Sequence, residues 1–474
     1  MLFRKGWRSL LFCFLLSVQL ISAEAPAAAN LNQTPLPVKQ VSKTALSHGS
    51  MQTSHVQFPN GDTYWFKQLS IQRTSSKPYS WTLQIPGEQG SFRYIAINNG
   101  VRHWYTVPLP ANGYLPRTGG FLDTTHRHMY ISFPNVYTPI GNGSLVEKAT
   151  SQPIHVKKTA TGYTLTIQIP QQAKDIGEVW ALESAQPLVD WTQPNMESIW
   201  MLLDMQYSQK WSWDGFYVLS PSSYTPTGPR TFWRNPSNYL ARSFVLTGGS
   251  RAAEDLGWVM LDTVLPTQNQ LGYWETLPRS NWLWKDYQIG YGFYDTRFNT
   301  DLARIFLVAY EKYQDPRFLT ATQAYARWMM KHSDTRHFTI PGNQLGWLVE
   351  DYNHPNAHKK THASLNHQLA MANYMYELYM ATGTTYYQAY GDIIIQGIKN
   401  TRDRWIKPDG NLHYAYLSNG QMGLEDYPYL TYNDLYQTQQ LLQQMGNLRD
   451  PDLDILMQAK RRWMEERGVT GYYQ

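Results

Sequence analysis

The chain has 474 residues, 42% of them hydrophobic and 16% charged, with a formal net charge of +5. That length points to two domains, and without the basic residues Arg4, Lys5 and Arg8 the balance falls to +2, with no Lys/Arg run to suggest nucleic acid. The single cysteine, Cys13, falls in the first apolar run, which excludes disulfides, cysteine nucleophiles and cysteine metal sites from the chain beyond it.

Residues 1–25 read as a secretory signal peptide. Arg4, Lys5 and Arg8 form the basic head, Ser9 to Ile21 an apolar run too short to span a bilayer comfortably, and cleavage is expected after Ala23 or Ala25. The mature protein is therefore expected to be secreted or extracytoplasmic, in a periplasm or cell envelope, with no stable membrane insertion. Residues 26–50 are rich in Ala, Pro, Asn, Gln, Ser and Thr without periodicity, and are expected to be a flexible linker.

A β-rich domain is expected over 51–190. His55 to Phe58 and Thr63 to Phe66 flank the turn Pro59-Asn60-Gly61-Asp62, and Phe92 to Ile97 and Arg102 to Val107 flank Asn98-Asn99-Gly100. Further strands are expected at His128 to Phe133, Ile154 to Lys158 and Tyr163 to Ile169. The last alternates Tyr163, Leu165, Ile167 and Ile169 with polar residues, the pattern of a half-buried strand. Antiparallel strands at this spacing predict a sandwich or barrel, which serves as a support or a carbohydrate contact.

From 191 to 474 the period becomes helical, and a helix–turn–helix beat recurs four times. Its turns lie at Thr247 to Ser250, Gln314 to Pro316, Thr382 to Thr384 and Asn447 to Pro451. Leu302, Ile305, Phe306 and Ala309 form one stripe; Phe318, Ala321, Tyr325 and Met329 another; Leu365, Leu369, Ala372 and Tyr376 a third. The fold class expected is thus α+β multidomain, an antiparallel β domain followed by an α/α toroid of helical hairpins. An open helical solenoid is the alternative.

Chemistry is expected in the segments between hairpins, around 273–297, 347–367 and 409–434. The chain is 14% aromatic, with 34 Tyr and 18 Trp, which suits sugar stacking as well as helix packing. His354, His358, His362 and His367 lack a His-Glu-x-x-His pattern and are expected to line an anion-binding rim; no metal and no cofactor is expected.

The stretch 280–445 resembles the C-terminal helical domain of D-glucuronyl C5-epimerases. The matching residues are Glu350-Asp351-Tyr352, Leu365-Asn366, Tyr376-Glu377-Leu378 ten residues after the Asn, Gly410 to Tyr414, Asp426-Tyr427, Asn433 and Gln440-Leu441-Leu442. Leu424-Glu425 stands where that family has Arg-Trp, and its tyrosine falls on His413 or, after a one-residue slip, Tyr414. The resemblance implies inversion of carbon 5 in polymer-bound uronic acids. A proton beside a carboxylate is removed from one face and another is returned to the opposite face.

The acid/base candidates are Glu350, Tyr352, His413, Tyr414, Tyr427 and Tyr432. Expected to hold substrate are Trp284, Tyr291, Arg297, Asp351, Lys359, Lys360, Asn366, Tyr416, Asp426 and Asn433, with Arg279 a further partner for carboxylates. The partner implied is an acidic polysaccharide; nothing in the sequence sets the oligomeric state. A glycoside hydrolase or polysaccharide lyase on the same toroid, and a non-catalytic glycan-binding protein, are the alternatives.

Overall fold

The computed structural model describes residues 35–150, 152–205 and 207–473. The signal peptide expected at 1–25 lies outside them. A large antiparallel sheet and eleven α-helices among the described residues make a mixed α+β protein. Among the described residues it divides into two compact units, one of 35–267 with 313–315, the other of 268–312 with 316–473. No helix of the described residues is long and apolar enough to cross a membrane.

The first unit is built on a thirteen-stranded sheet and a four-stranded sheet. Phe92, Leu122 and Val179 of the larger share one core with Ile85, Leu165 and Ile167 of the smaller. In the strand Gly162–Gln171, Tyr163, Leu165, Ile167 and Ile169 are all buried, as a period of two requires. Gly90–Asn98 and Val101–Pro108 pair through a tight turn in which Asn99 (φ 49°) and Gly100 (φ 78°) are both left-handed. That is the geometry that selects Asn-Gly between strands.

The expected linker needs correction at its C-terminal half. Val38–Leu46 is a strand, paired residue for residue with Gly49–Gln57. Its side chains are almost all exposed, so backbone pairing holds it and hydropathy could not reveal it. Three helices complete the unit: α1 (Met196–Leu202), α2 (Tyr239–Thr247) and α3 (Arg251–Val264), the last two forming the first hairpin.

The second unit holds α4 (Asn281–Tyr287), α5 (Thr296–Tyr313), α6 (Pro316–Thr335), α7 (Leu365–Thr382), α8 (Thr385–Asn400), α9 (Arg402–Trp405), α10 (Leu430–Gln444) and α11 (Pro451–Glu466). Pro316 opens α6 and Pro451 opens α11, where Asp450 accepts from the amides of Asp452 and Leu453. Gly383 ends α7 with φ 68°.

Helix α7 departs from the single stripe expected of it. Every residue from Leu365 to Tyr376 is buried, including Asn366, His367, Gln368 and Asn373. The polar ones survive burial by hydrogen bonding: Gln368 donates to the Val349 carbonyl at 2.8 Å and accepts from its amide at 2.7 Å. An all-round buried helix marks the middle of the unit.

Candidate functional site

Helices α5, α7 and α10 lie side by side and are tied by polar side chains. Arg297 on α5 donates to Asp434 on α10 at 2.6 Å, to Asp301 at 3.0 Å and to the Asn366 carbonyl at 3.2 Å. Two turns further on, Arg304 donates to Glu377 on α7 at 2.7 Å and to Gln437 on α10 at 3.3 Å. Asn373 accepts from Thr438 at 2.7 Å.

Short strand pairs lead into these helices and fix their first turns. Asp295, just before α5, pairs with Tyr352; Ser364, just before α7, pairs with Ala415. The first turns therefore carry the segments 294–298, 350–367 and 413–427 towards one another.

At their meeting point lies a buried cluster around Asp351. Its carboxylate accepts from the Ser364 amide at 2.9 Å and from the Ser364 hydroxyl. His362 Nε2 lies 3.2 Å away and His367 Nδ1 3.6 Å away, ion-pair distances. His362 Nε2 is not aligned for a hydrogen bond. Burial alone would push the Asp351 carboxyl up, but the two histidines and the Ser364 hydroxyl hold it below the usual range, so it is ionised. His367 is pushed down to about 4 by burial and stays neutral, its Nδ1 2.7 Å from the Thr296 hydroxyl.

Above this floor stand aromatic rings. The Tyr287 hydroxyl is 2.8 Å from His362 Nδ1, and Trp282 is tilted over the His362 ring at 5.6 Å. Tyr414 lies 5.8 Å from His362 and 5.7 Å from Tyr427, ring to ring. Burial raises the hydroxyls of Tyr414 and Tyr427, and pushes Tyr287 up to about 12, so all three are proton donors at rest.

Asp295 completes the group. Its carboxylate caps α5 by accepting from the Phe298 amide at 3.0 Å, while burial, with Asp351 adding to it, pushes its pKa up to about 7. Two neighbouring acids are thus held in different protonation states, a split characteristic of acid/base sites.

An open cleft of about 470 Å³ lies on the other side of α4, lined among others by Trp284, Gln288, His354 and Asn356. Helix α4 presents Trp282 to the cluster and Trp284 to the cleft. The Arg279 guanidinium lies 5.4 Å from the Trp284 ring and 5.6 Å from that of Tyr291, both exposed.

The residues singled out from sequence fall into three groups. Tyr352, Tyr414, Tyr427, Asp351, Arg297 and Asn366 lie in or beside the cluster. Trp284 lines the cleft, and the Arg279 guanidinium lies against it and Tyr291. The rest lie elsewhere. Glu350 is buried with its carboxylate accepting from the Thr361 amide at 2.8 Å. His413, next to Tyr414 on one strand, points to Lys407, Glu425 and Asp409, since neighbouring strand residues face opposite ways. Tyr432 packs edge-on against Tyr472 at 5.4 Å, and Tyr416 against Phe338 at 5.0 Å.

Lys360 sits 3.8 Å over the Phe338 ring, and Lys359 is exposed beside it. Asp426 pairs with the buried Lys460 at 2.7 Å, and Asn433 accepts from the Tyr473 amide at 3.0 Å. The histidines form no common rim. His354 bonds the Tyr291 carbonyl at 3.0 Å and His358 lies 3.1 Å from Asn353, while His362 and His367 are buried with Asp351.

Asp295, Tyr287 and Trp282 were not among the expected site residues. An Asp just before an apolar-periodic run is a capping signal, and that signal would have found Asp295 as a helix start.

No protein-family model and no curated protein matches the chain. Among solved structures, it is similar to a family 76 glycoside hydrolase (mannosidase) from Bacteroides thetaiotaomicron at 15% identity and a TM-score of 0.39, over 57% of this chain and 71% of that one. A second family 76 hydrolase, from a bovine strain of that species, is similar at 11% identity and a TM-score of 0.40, over 91% and 79%. A cellobiose 2-epimerase from Spirochaeta thermophila is similar at 12% identity and a TM-score of 0.35, over 49% of this chain and 59% of its own length.

Proposed function

We propose that the second unit is a polysaccharide-active enzyme that works by proton transfer, and that its reaction is uronic-acid C5 epimerisation. The observation that carries the reading is the junction of Tyr287, His362, Asp351, Tyr414 and Tyr427 at the first turns of three helices. Tyr287 is the base side: its proton passes to His362 Nδ1, and the ionised Asp351 stabilises the imidazolium that results. The tyrosinate then takes the C5 proton. Tyr414 and Tyr427, kept protonated by burial, return a proton from the other face. Arg279, between Trp284 and Tyr291 on the far side of α4, offers its cation to the carboxylate of a neighbouring residue of the polymer.

One observation favours a second reading, glycoside hydrolysis. Asp295, raised to about 7, suits a general acid, and the ionised Asp351 suits its partner. Incubating glucuronan or a heparosan-like chain in D2O separates the two. Deuterium at carbon 5 supports epimerisation; new reducing ends without exchange transfer the assignment to hydrolysis, and unsaturated ends to a lyase. Tight binding with no product leaves a glycan-binding protein.

A further inference from the structure

The first unit has a cleft of its own, about 230 Å³, whose walls carry Arg117, Lys148, Lys210 and Arg230 against a single carboxylate, Glu147. Sheet pairing brings these residues together. The strand Ser144–Lys148 pairs with Thr231–Arg234, and the Glu147 amide donates to the Arg230 carbonyl at 2.9 Å. Lys210, on the strand Gln209–Ser212, is buried and engages Glu147 at 2.8 Å.

Two of the cations lie over aromatic faces. The Arg117 guanidinium is 5.5 Å from the Phe133 ring, and Lys210 Nζ is 5.3 Å from Phe232. Such backing limits the movement of the charge and lowers the entropy lost when an anion is bound. Beside the Glu147–Lys210 pair, the lining carries the half-buried Lys148 and the exposed Arg230.

We infer that this cleft binds an oxyanion, a carboxylate or sulfate, carried by an acidic polysaccharide. Its volume lies below the roughly 300–1,000 Å³ of pockets that enclose drug-sized ligands. It therefore suits one charged sugar residue of a chain running across it. The polysaccharide part rests on the reading of the second unit as polysaccharide-active, whichever reaction it performs.

The test compares the full chain with the double variant Lys148→Ser/Arg230→Ser by calorimetry, using glucuronan, a heparosan-like chain, a neutral glucan and inorganic sulfate. Loss of two solvent-accessible charge contacts is expected to weaken acidic-polymer binding roughly tenfold. Neutral-glucan binding, turnover and melting temperature should not change, and Lys148→Arg/Arg230→Lys should restore most of the affinity. Unchanged acidic-polymer affinity would overturn the inference, and so would an equal loss for the neutral glucan. Sulfate binding that the variant abolishes, with polymer binding intact, would assign the cleft to a free anion and overturn the polysaccharide part.

Discussion

Asp295 caps α5 through the Phe298 amide, and burial keeps its carboxyl protonated up to about pH 7. Asn caps a helix about as well as Asp, whereas Ala costs about 1 kcal/mol. Asp295→Asn should therefore keep its melting temperature while losing about 100-fold or more in cleavage if the reaction is hydrolysis, the usual scale of a lost acid/base group, and should leave C5 exchange unchanged if it is epimerisation. Asp295→Ala should also lower the melting temperature. Unchanged cleavage in the Asn variant, measured on a polymer that the protein cleaves, would reduce Asp295 to a cap.

Tyr287→Phe removes the hydroxyl beside His362 but keeps the ring. It should abolish C5 exchange while leaving substrate affinity within about twofold by calorimetry. Of these residues the sequence showed Asp351, Tyr414 and Tyr427 as candidates, because the epimerase-like motifs contain them. It pointed equally to Glu350 and His413. Only the ladder shows that Glu350 braces Thr361, and that His413 lies on the strand face opposite Tyr414.

Among the elements, the bond network between α5, α7 and α10 is the most exposed to a single change. Arg304 is part-buried and holds Glu377 and Gln437 at once. Truncating one partner of such a pair leaves the other charge without its partner and costs about 3–5 kcal/mol. Arg304→Ala should destabilise the second unit by about 3 kcal/mol in urea unfolding, and Arg304→Met with Glu377→Leu should recover most of it. A double variant no more stable than the single one would mean that packing, not charge, sets the cost.

The hairpins themselves were legible from sequence, since capping Gly and Pro sit at their turns and apolar periods of 3.6 flank them. The burial of α7 on all sides was not. Asn366, His367, Gln368 and Asn373 make its sequence look half-exposed, and only their partners in other elements reconcile them with a core.

At the scale of the whole chain, buried acids set the response to pH. In the first unit Asp255 is raised to about 9 by burial, then by the neighbouring Asp62. A carboxyl raised on folding adds stability that is complete below its unfolded pKa and is lost as pH rises through the folded one. His332 and His367, lowered to about 4, act in the opposite sense, and their contribution is lost as pH falls from about 6.5 to about 4. Above pH 7 the folded first unit still holds the Asp255 proton that the unfolded chain has lost, so it should melt at progressively lower temperature up to about pH 9. Asp255→Asn should flatten that limb, as read by calorimetry. A slope that survives the substitution would place its origin in another group. The change of period near 190 pointed to a β-rich part before a helical one, whereas strands run on to Arg234 and the first unit, with its own helical hairpin, to Thr267; the buried carboxyls could not be read either, since an Asp in a sequence carries no mark of its depth.

The turn Gly383–Thr384 offers a practical use. Gly383 holds a left-handed φ of 68° that favours glycine, so a handle belongs on the exposed Thr385 beside it, and α7, at 18 residues, carries the chain roughly 27 Å from its first turn to this bend. A fluorophore, affinity handle or surface tether grafted there would lie at the far end of α7 from the Asp351 cluster. The protein could then be immobilised on a polysaccharide-coated surface, or followed one molecule at a time, with its chemistry untouched.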